Sequence, residues 1–281
     1  MVLPTGHVPI HYTVNNELRM NDALQVVVNK IEKESRTLQC YDAMAGLVTA
    51  IGPSQVIAAN VISAGIGRGY TKLHPIAAST AHAWFNAHLA IAQRIWGGAL
   101  PASLLLADPT VVGGPYDALA EFWFEFADHR AQCGSNGNTL LHQNGRKLSY
   151  VGETQINKVL YLVYPNLFPI FDSVLRRRTY AGVFQANCQG ILKARGGVNV
   201  GNHKDGFRWE PFRQDLKANT RAGAFTAIRV GLNLMGAAGQ TTRLHSGSLI
   251  PTAFVNGTTV DIYGWAAAHL TDNRLMDFLA W

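Results

Sequence analysis

Ile156, Val159, Leu160 and Val163 fall at i, i+3, i+4 and i+7, the spacing that lines one face of an α-helix. Residues 153 to 163 are therefore expected to form an amphipathic helix, ended by Pro165, which cannot continue the hydrogen-bond ladder. Helical patterning also covers Ala23 to Ser35, Ser54 to Ser63, Ala77 to Trp96, Pro115 to Gln132, residues 210 to 219, 220 to 236 and 262 to 281. Ser54 supplies an N-cap, Pro115 a first-turn residue and Gly97-Gly98 a stop. Strict alternation is scarce. Short strands are expected only around Ala253 to Val255 and Thr258 to Tyr263, turned through Asn256-Gly257. The pattern thus predicts a mainly all-α chain with at most a small β-hairpin. The stretches from Gly97 to Gly114 and from Lys193 to Gly206 read as connectors or substrate-facing loops.

Composition narrows the class. With 48% hydrophobic and 15% charged residues over 281 positions, the chain can bury a large core as one domain or two closely packed lobes. No apolar run reaches the roughly 20 residues a membrane span needs, and Met1 to Tyr12 lacks the basic and apolar regions of a signal peptide. A cytoplasmic protein without a membrane partner is expected. Cys40, Cys133 and Cys188 are odd in number and widely spaced, which fits reduced, buried thiols and gives no metal pattern. In that setting the Asn256-Gly257-Thr258 sequon carries no meaning.

Charge adds a partner. The net charge is +6, and residues 176 to 229 hold eleven Lys or Arg against three acids, from Arg176-Arg177-Arg178 through Lys193, Arg195, Lys204, Arg208, Arg213, Lys217 and Arg221 to Arg229. Solvated helix faces explain any one of these residues. As a group they favour a phosphate-backed ligand, bound more weakly as salt rises.

The chemistry concentrates at residues 148–177. Gly152 lies just before the expected helix, where positive φ lets the chain turn sharply and leaves the amides of Tyr150 to Thr154 facing outward, an arrangement that binds phosphate. Glu153 suits the helix dipole and would repel a phosphate placed directly at that end. The preceding Asn136 to Gly145 run is too rich in Gly and Asn for a helix. Asp172 follows the apolar run Leu167-Phe168-Pro169-Ile170-Phe171 and precedes Val174-Leu175-Arg176-Arg177. Taken alone it reads best as an N-cap. A carboxylate there can also stabilise the cationic sugar formed as an N-glycosidic bond breaks, and can orient water.

The stretch Leu148-Ser149-Tyr150-Val151-Gly152-Glu153-Thr154, with Phe168-Pro169-Ile170-Phe171-Asp172, resembles the helix-hairpin-helix DNA glycosylases, whose hairpin reads Leu-Pro-Gly-Val-Gly and whose catalytic aspartate follows a short Pro-Ile or Pro-Val stretch. Ser149 and Tyr150 depart from that hairpin. The resemblance implies a two-lobed fold across residues 1–281, with the base pocket between the lobes and double-stranded DNA as the partner. It makes Asp172 catalytic and gives Tyr150, Val151, Gly152, Thr154, Arg176, Arg177 and Arg178 to the DNA. Bifunctional members carry a Schiff-base lysine where this chain has Thr154, so a monofunctional enzyme that uses water, leaves an abasic site and needs no cofactor is implied. Gln155 and Lys158 are candidate base-pocket residues, although a lysine one turn further on reads first as solvated. No four-cysteine cluster marks the iron–sulfur subgroup.

A second resemblance rests on Tyr41-Asp42, Ile51 to Ala64, Asn157 to Arg177 and Arg274 to Trp281. These look like a bacterial family with the glycosylase fold of 8-oxoguanine excision enzymes, sometimes associated with defence against phage. It implies a setting in which the base is either an ordinary lesion or a hypermodified, glucosylated hydroxymethylcytosine of phage DNA. Two other readings stand beside excision: a catalytically silent helix-hairpin-helix DNA-binding protein in which Asp172 only caps, and a small-molecule N-ribosyl hydrolase. Gly65-Ile66-Gly67-Arg68-Gly69 lacks the Lys-Ser or Lys-Thr ending of a phosphate loop. His74, His82 and His88 lack the i, i+4 spacing of a metal pair. Trp84, Phe85, Trp96, Phe122, Trp123, Phe124 and Phe126 are numerous enough to include a base-stacking surface, though most belong to a core.

Overall fold

The computed structural model describes residues 3–14, 17–47, 142–143, 146–147, 158, 161–166 and 224–280. The expected helices at Ser54 to Ser63, Ala77 to Trp96, Pro115 to Gln132 and residues 210 to 219 lie outside them, as do Cys133 and Cys188.

Helix α1 (Ala23–Lys33) forms because Asp22 accepts from the amide of Gln25 at 3.3 Å and because Ala23, Leu24, Val27, Val28 and Ile31 recur on one face, all of them buried. The helix expected to reach Ser35 breaks at Glu34 (φ −104°, ψ 10°), and α2 (Ser35–Cys40) restarts on a new axis. A 3-10 turn, Asp42–Met44, follows, and Gly46 turns the chain at φ +78°. Helix α3 is helical at residue 158 and residues 161–163; residues 165–166 turn, so Pro165 lies just past the end, as its missing N–H requires.

Helix α4, residues 224–237, buries Ile228, Leu232 and Met235 at i, i+4 and i+7. It crosses α1 at Gly231, where an added Cβ would stand 2.4 Å from Leu24 Cδ2. Only glycine permits that approach. The expected helical run 262 to 281 is two helices, α5 (Ile262–His269) and α6 (Asp272–Ala280), because Leu270 is extended and Thr271 Oγ1 accepts from the Arg274 amide at 3.3 Å. Both α5 and α6 pack on α1. Leu275, Met276, Phe278 and Leu279 are buried, and so are Asn273, Arg274 and Asp277, so α6 is enclosed on nearly every side. Each fully buried large apolar side chain contributes about 1.5–3 kcal/mol.

The mainly helical class holds over the described residues. The allowance of at most a small β-hairpin does not. Strands β1 (Tyr12–Val14) and β2 (Glu17–Arg19) pair antiparallel, as do β3 (His142–Gln143) and β4 (Arg146–Lys147). A third sheet orders β5 (Thr242–Arg243), β7 (Thr259–Val260) and β6 (Val255–Asn256). The hairpin through Gly257 is present with positive φ (65°), but its strands are shorter than expected. Ala253 lies in a 3-10 turn and residues 262–263 in α5. Strands of two or three residues are too short to leave a countable alternation, which is why the sequence pattern misses them. The Asn- and Gly-rich run before Leu148 has its β-hairpin at residues 142–147.

Candidate functional site

Three separated parts of the chain meet around Asp42, a carboxylate whose side chain is fully buried. Arg274 on α6 grips it with both edges of its guanidinium, Nε donating to Oδ1 at 3.0 Å and Nη2 to Oδ2 at 3.2 Å. The hydroxyl of Tyr161 on α3 donates to Oδ1 at 3.0 Å. Bidentate, charge-assisted geometry of this kind fixes orientation as well as distance. Arg274 also lies 3.7 Å from Asp277 Oδ2 and 4.6 Å from the centroid of the Phe278 ring. Two carboxylates and an aromatic face thus balance one cation that is nearly out of water.

The electrostatics follow from this enclosure. Burial works against the charge of Arg274, and the carboxylates of Asp42 and Asp277 outweigh it and hold the guanidinium above its usual range. Burial pushes the Tyr161 hydroxyl well above the usual tyrosine value, and Asp42 beside it pushes the same way. Neither group exchanges a proton near neutrality. Both Asp42 oxygens are occupied, so the junction is an anchor rather than an acid–base pair.

What it anchors is α3, at residues 158 and 161–163. Tyr41 stacks on Tyr161 with ring centroids 5.9 Å apart and planes inclined by 23°, and its hydroxyl donates to the Lys158 carbonyl. The Gly46 amide donates to the Leu162 carbonyl at 2.9 Å. The Pro165 carbonyl accepts from Thr271 Oγ1 and from Asn273 Nδ2, each at 3.1 Å. The start, middle and exit of the described part of α3 are each held by another segment.

Of the expected site residues, Lys158 alone lies among those described. The reading of it as a solvated lysine is corrected: it is buried, as are Tyr161, Leu162 and Val163. The amphipathic reading of α3 is corrected with it. The face carrying Lys158, Tyr161 and Leu162 faces other elements, and the heptad-like stripe missed this because Lys and Tyr count as polar in such a pattern. Tyr150, Val151, Gly152, Thr154, Gln155, Asp172, Arg176, Arg177 and Arg178 lie outside the described residues. Arg229, the last member of the basic run, is tied to the fold. It pairs with Asp272 at 2.6 Å and donates to the Leu270 carbonyl at 2.9 Å, which fixes the start of α6 to α4.

Sequence reasoning gave Tyr41, Asp42 and Arg274 no individual role. Their signal was a charged residue inside an apolar run, Asp42 beside Tyr41 and Ala43, and Arg274 and Asp277 among Leu275, Met276, Phe278 and Leu279. Among the described residues no group of three or more His, Cys, Asp or Glu has the arrangement of a metal site. An open, mostly apolar groove of about 490 Å³, lined by His7, Val8, Val230 and Leu234 among others, contains none of the expected site residues. Among the described residues no helix is long and apolar enough to cross a membrane. Comparison of the chain with family models, with curated proteins and with solved structures finds no match.

Proposed function

We propose that this protein is a monofunctional DNA glycosylase of the two-lobed, helix-hairpin-helix type. The observation that carries the reading is the anchoring of α3. The described residues of α3, which lie in sequence between Tyr150 to Thr154 and Asp172, are tied to Asp42 and Tyr41 and to the start of α6. The segments so joined, Tyr41-Asp42, Asn157 to Arg177 and Arg274 to Trp281, are those on which the resemblance to the 8-oxoguanine excision fold rests. A rigid support of this kind is what a carboxylate needs if it is to meet a flipped nucleotide at a fixed distance.

In this reading a base leaves the stack and enters a cleft, and the Asp172 carboxylate stabilises the cationic sugar as the bond from C1′ to the base nitrogen breaks. The bonding pair leaves with the base. Water held by Asp172 adds its oxygen to C1′ and gives a proton to that carboxylate, the departed base takes up a proton from solvent, and the abasic sugar remains. Thr154 forms no imine, so strand cleavage does not follow. Tyr150, Val151, Gly152 and Thr154 hold a backbone phosphate, Arg176 to Arg178 supply attraction, and Gln155 and Lys158 border the base. The base is an oxidised or alkylated lesion, or a glucosylated hydroxymethylcytosine of phage DNA.

Asp172→Asn tests the assignment. Loss of base release with duplex binding retained supports catalysis by Asp172. Binding without release by either protein favours the silent DNA-binding reading, in which Asp172 is a cap.

A further inference from the structure

Of the described arginines, Arg229 and Arg274 are committed to carboxylates, whereas no carboxylate pairs with Arg36 or Arg243. Both are exposed, and the fold brings their segments together. Ser35 Oγ lies 3.4 Å from His245 Nε2. The fully buried Gln39 side chain clips the backbone on either side of Leu244, donating from Nε2 to the Arg243 carbonyl at 3.3 Å and accepting at Oε1 from the His245 amide at 3.0 Å. The Gln39 carbonyl accepts from the Leu249 amide at 2.8 Å, and the Leu244 amide donates to Thr258 at 2.8 Å. One α2 residue thus sets strand β5 against α2. On β5 Arg243 is exposed beside half-buried Thr242, and His245, two residues on, is half-buried. Arg36 is next to Ser35. The acids nearest Arg36 in sequence are occupied, Glu34 by the Thr37 hydroxyl at 3.0 Å and Glu32 by the Tyr263 hydroxyl at 2.9 Å.

We propose that Arg36, Arg243, Ser35 and His245 form a second contact to the phosphate backbone of duplex DNA, distinct from the hairpin turn and from Arg176 to Arg178. Guanidiniums without a carboxylate, a hydroxyl and an imidazole on a braced surface supply donors for phosphate oxygens. The net charge of +6 acts in the same direction. Because the patch lies on an exposed surface rather than in a pocket, an extended polyanion fits it better than a small anion. The inference rests on the reading of the chain as a DNA glycosylase, and the experiment keeps the two apart.

The full chain is titrated with a fluorescein-labelled, unmodified 20-base-pair duplex from 50 to 300 mM salt. Arg36→Gln/Arg243→Gln is compared with Asn29→Asp/Ala268→Glu, which lowers the charge equally at exposed positions elsewhere. Each lost phosphate contact removes about 0.9 from the slope of log K against log salt, so the arginine variant is expected to lose about two from that slope. Its affinity falls alike for every duplex sequence, and the control keeps the parent slope. An unchanged slope in the arginine variant, or an equal loss in both, overturns the patch and leaves the glycosylase reading standing. No binding by the unaltered protein overturns both.

Discussion

Removing the Asp42 carboxylate should destabilise the protein more than any other single polar change in the described core. In Asp42→Ala the guanidinium of Arg274, whose side chain is 9% exposed, loses both charge-assisted bonds and the carboxylate that offset its burial. Stranding a buried charge costs about 3–5 kcal/mol. Tyr161 loses its acceptor in the same change, and a buried hydroxyl left without one costs about 1–3 kcal/mol, which pushes the total toward the top of the first range. At roughly 2–4 °C per kcal/mol for a chain of this size class, the melting temperature should fall by at least about 6 °C. The assay is urea unfolding followed by far-UV circular dichroism, for Asp42→Ala, Arg274→Met and Asp42→Leu/Arg274→Met. The double variant should be more stable than the sum of the single losses implies, because neither Asp42 nor Arg274 is then left facing a missing partner and only Asp277 loses its neighbour. The loss should also change little between 0.05 and 1 M salt, since the pair is out of water. A cost under about 1 kcal/mol for Asp42→Ala, or strict additivity in the double variant, would refute the argument.

Other outcomes follow from the same structure. Burial raises the Tyr161 and Tyr263 hydroxyls above the unfolded value of 10.0, so below that pH they leave stability unchanged, and above it the unfolded chain releases protons that the native state keeps. Stability should therefore decline as pH rises past about 10, with their phenolate absorbance appearing only as the fold is lost; full phenolate absorbance with native circular dichroism would contradict this. Gly231→Ala places a methyl 2.4 Å from Leu24 Cδ2 and should cost about 1–3 kcal/mol, with part of the loss recovered in Leu24→Val; urea melts of the three variants decide it. Burial raises the Cys40 thiol, with Arg36 only partly opposing it, so a disulfide reagent at pH 8 should modify Cys40 far more slowly than after denaturation, and equal rates would place it at the surface.

The helices were legible where a cap and an apolar stripe coincide, as at Asp22 and Ala23 to Ile31. The sequence gives no warning of the break at Glu34, because Glu and Ser both tolerate a helix interior and the kink serves packing. The β5–β7–β6 sheet was half legible. Asn256-Gly257 announces its turn, whereas β5 is a two-residue strand placed by Gln39, a long-range contact with no local signature. Lys158 was misread for a related reason, since hydropathy treats a lysine as solvated while the fold buries it, with Tyr41 bonded to its carbonyl. The Asp42 junction joins residues more than 100 positions apart. Each charged member leaves only a charge inside an apolar run as its local signal, and their pairing leaves none. Pro165 was legible as a helix end, but its carbonyl's two partners, Thr271 just before α6 and Asn273 on it, were not.

Scoring abasic sites decides whether Asp172 excises a base. The unaltered protein and Asp172→Asn are incubated with genomic DNA from unmodified bacteria and from phages with glucosylated hydroxymethylcytosine, and aldehydes are counted with an aldehyde-reactive probe. The account predicts sites formed by the unaltered protein alone, with the DNA on which they form naming the class of base. Equal site counts for the two proteins, or none on any DNA despite salt-sensitive binding, would contradict it.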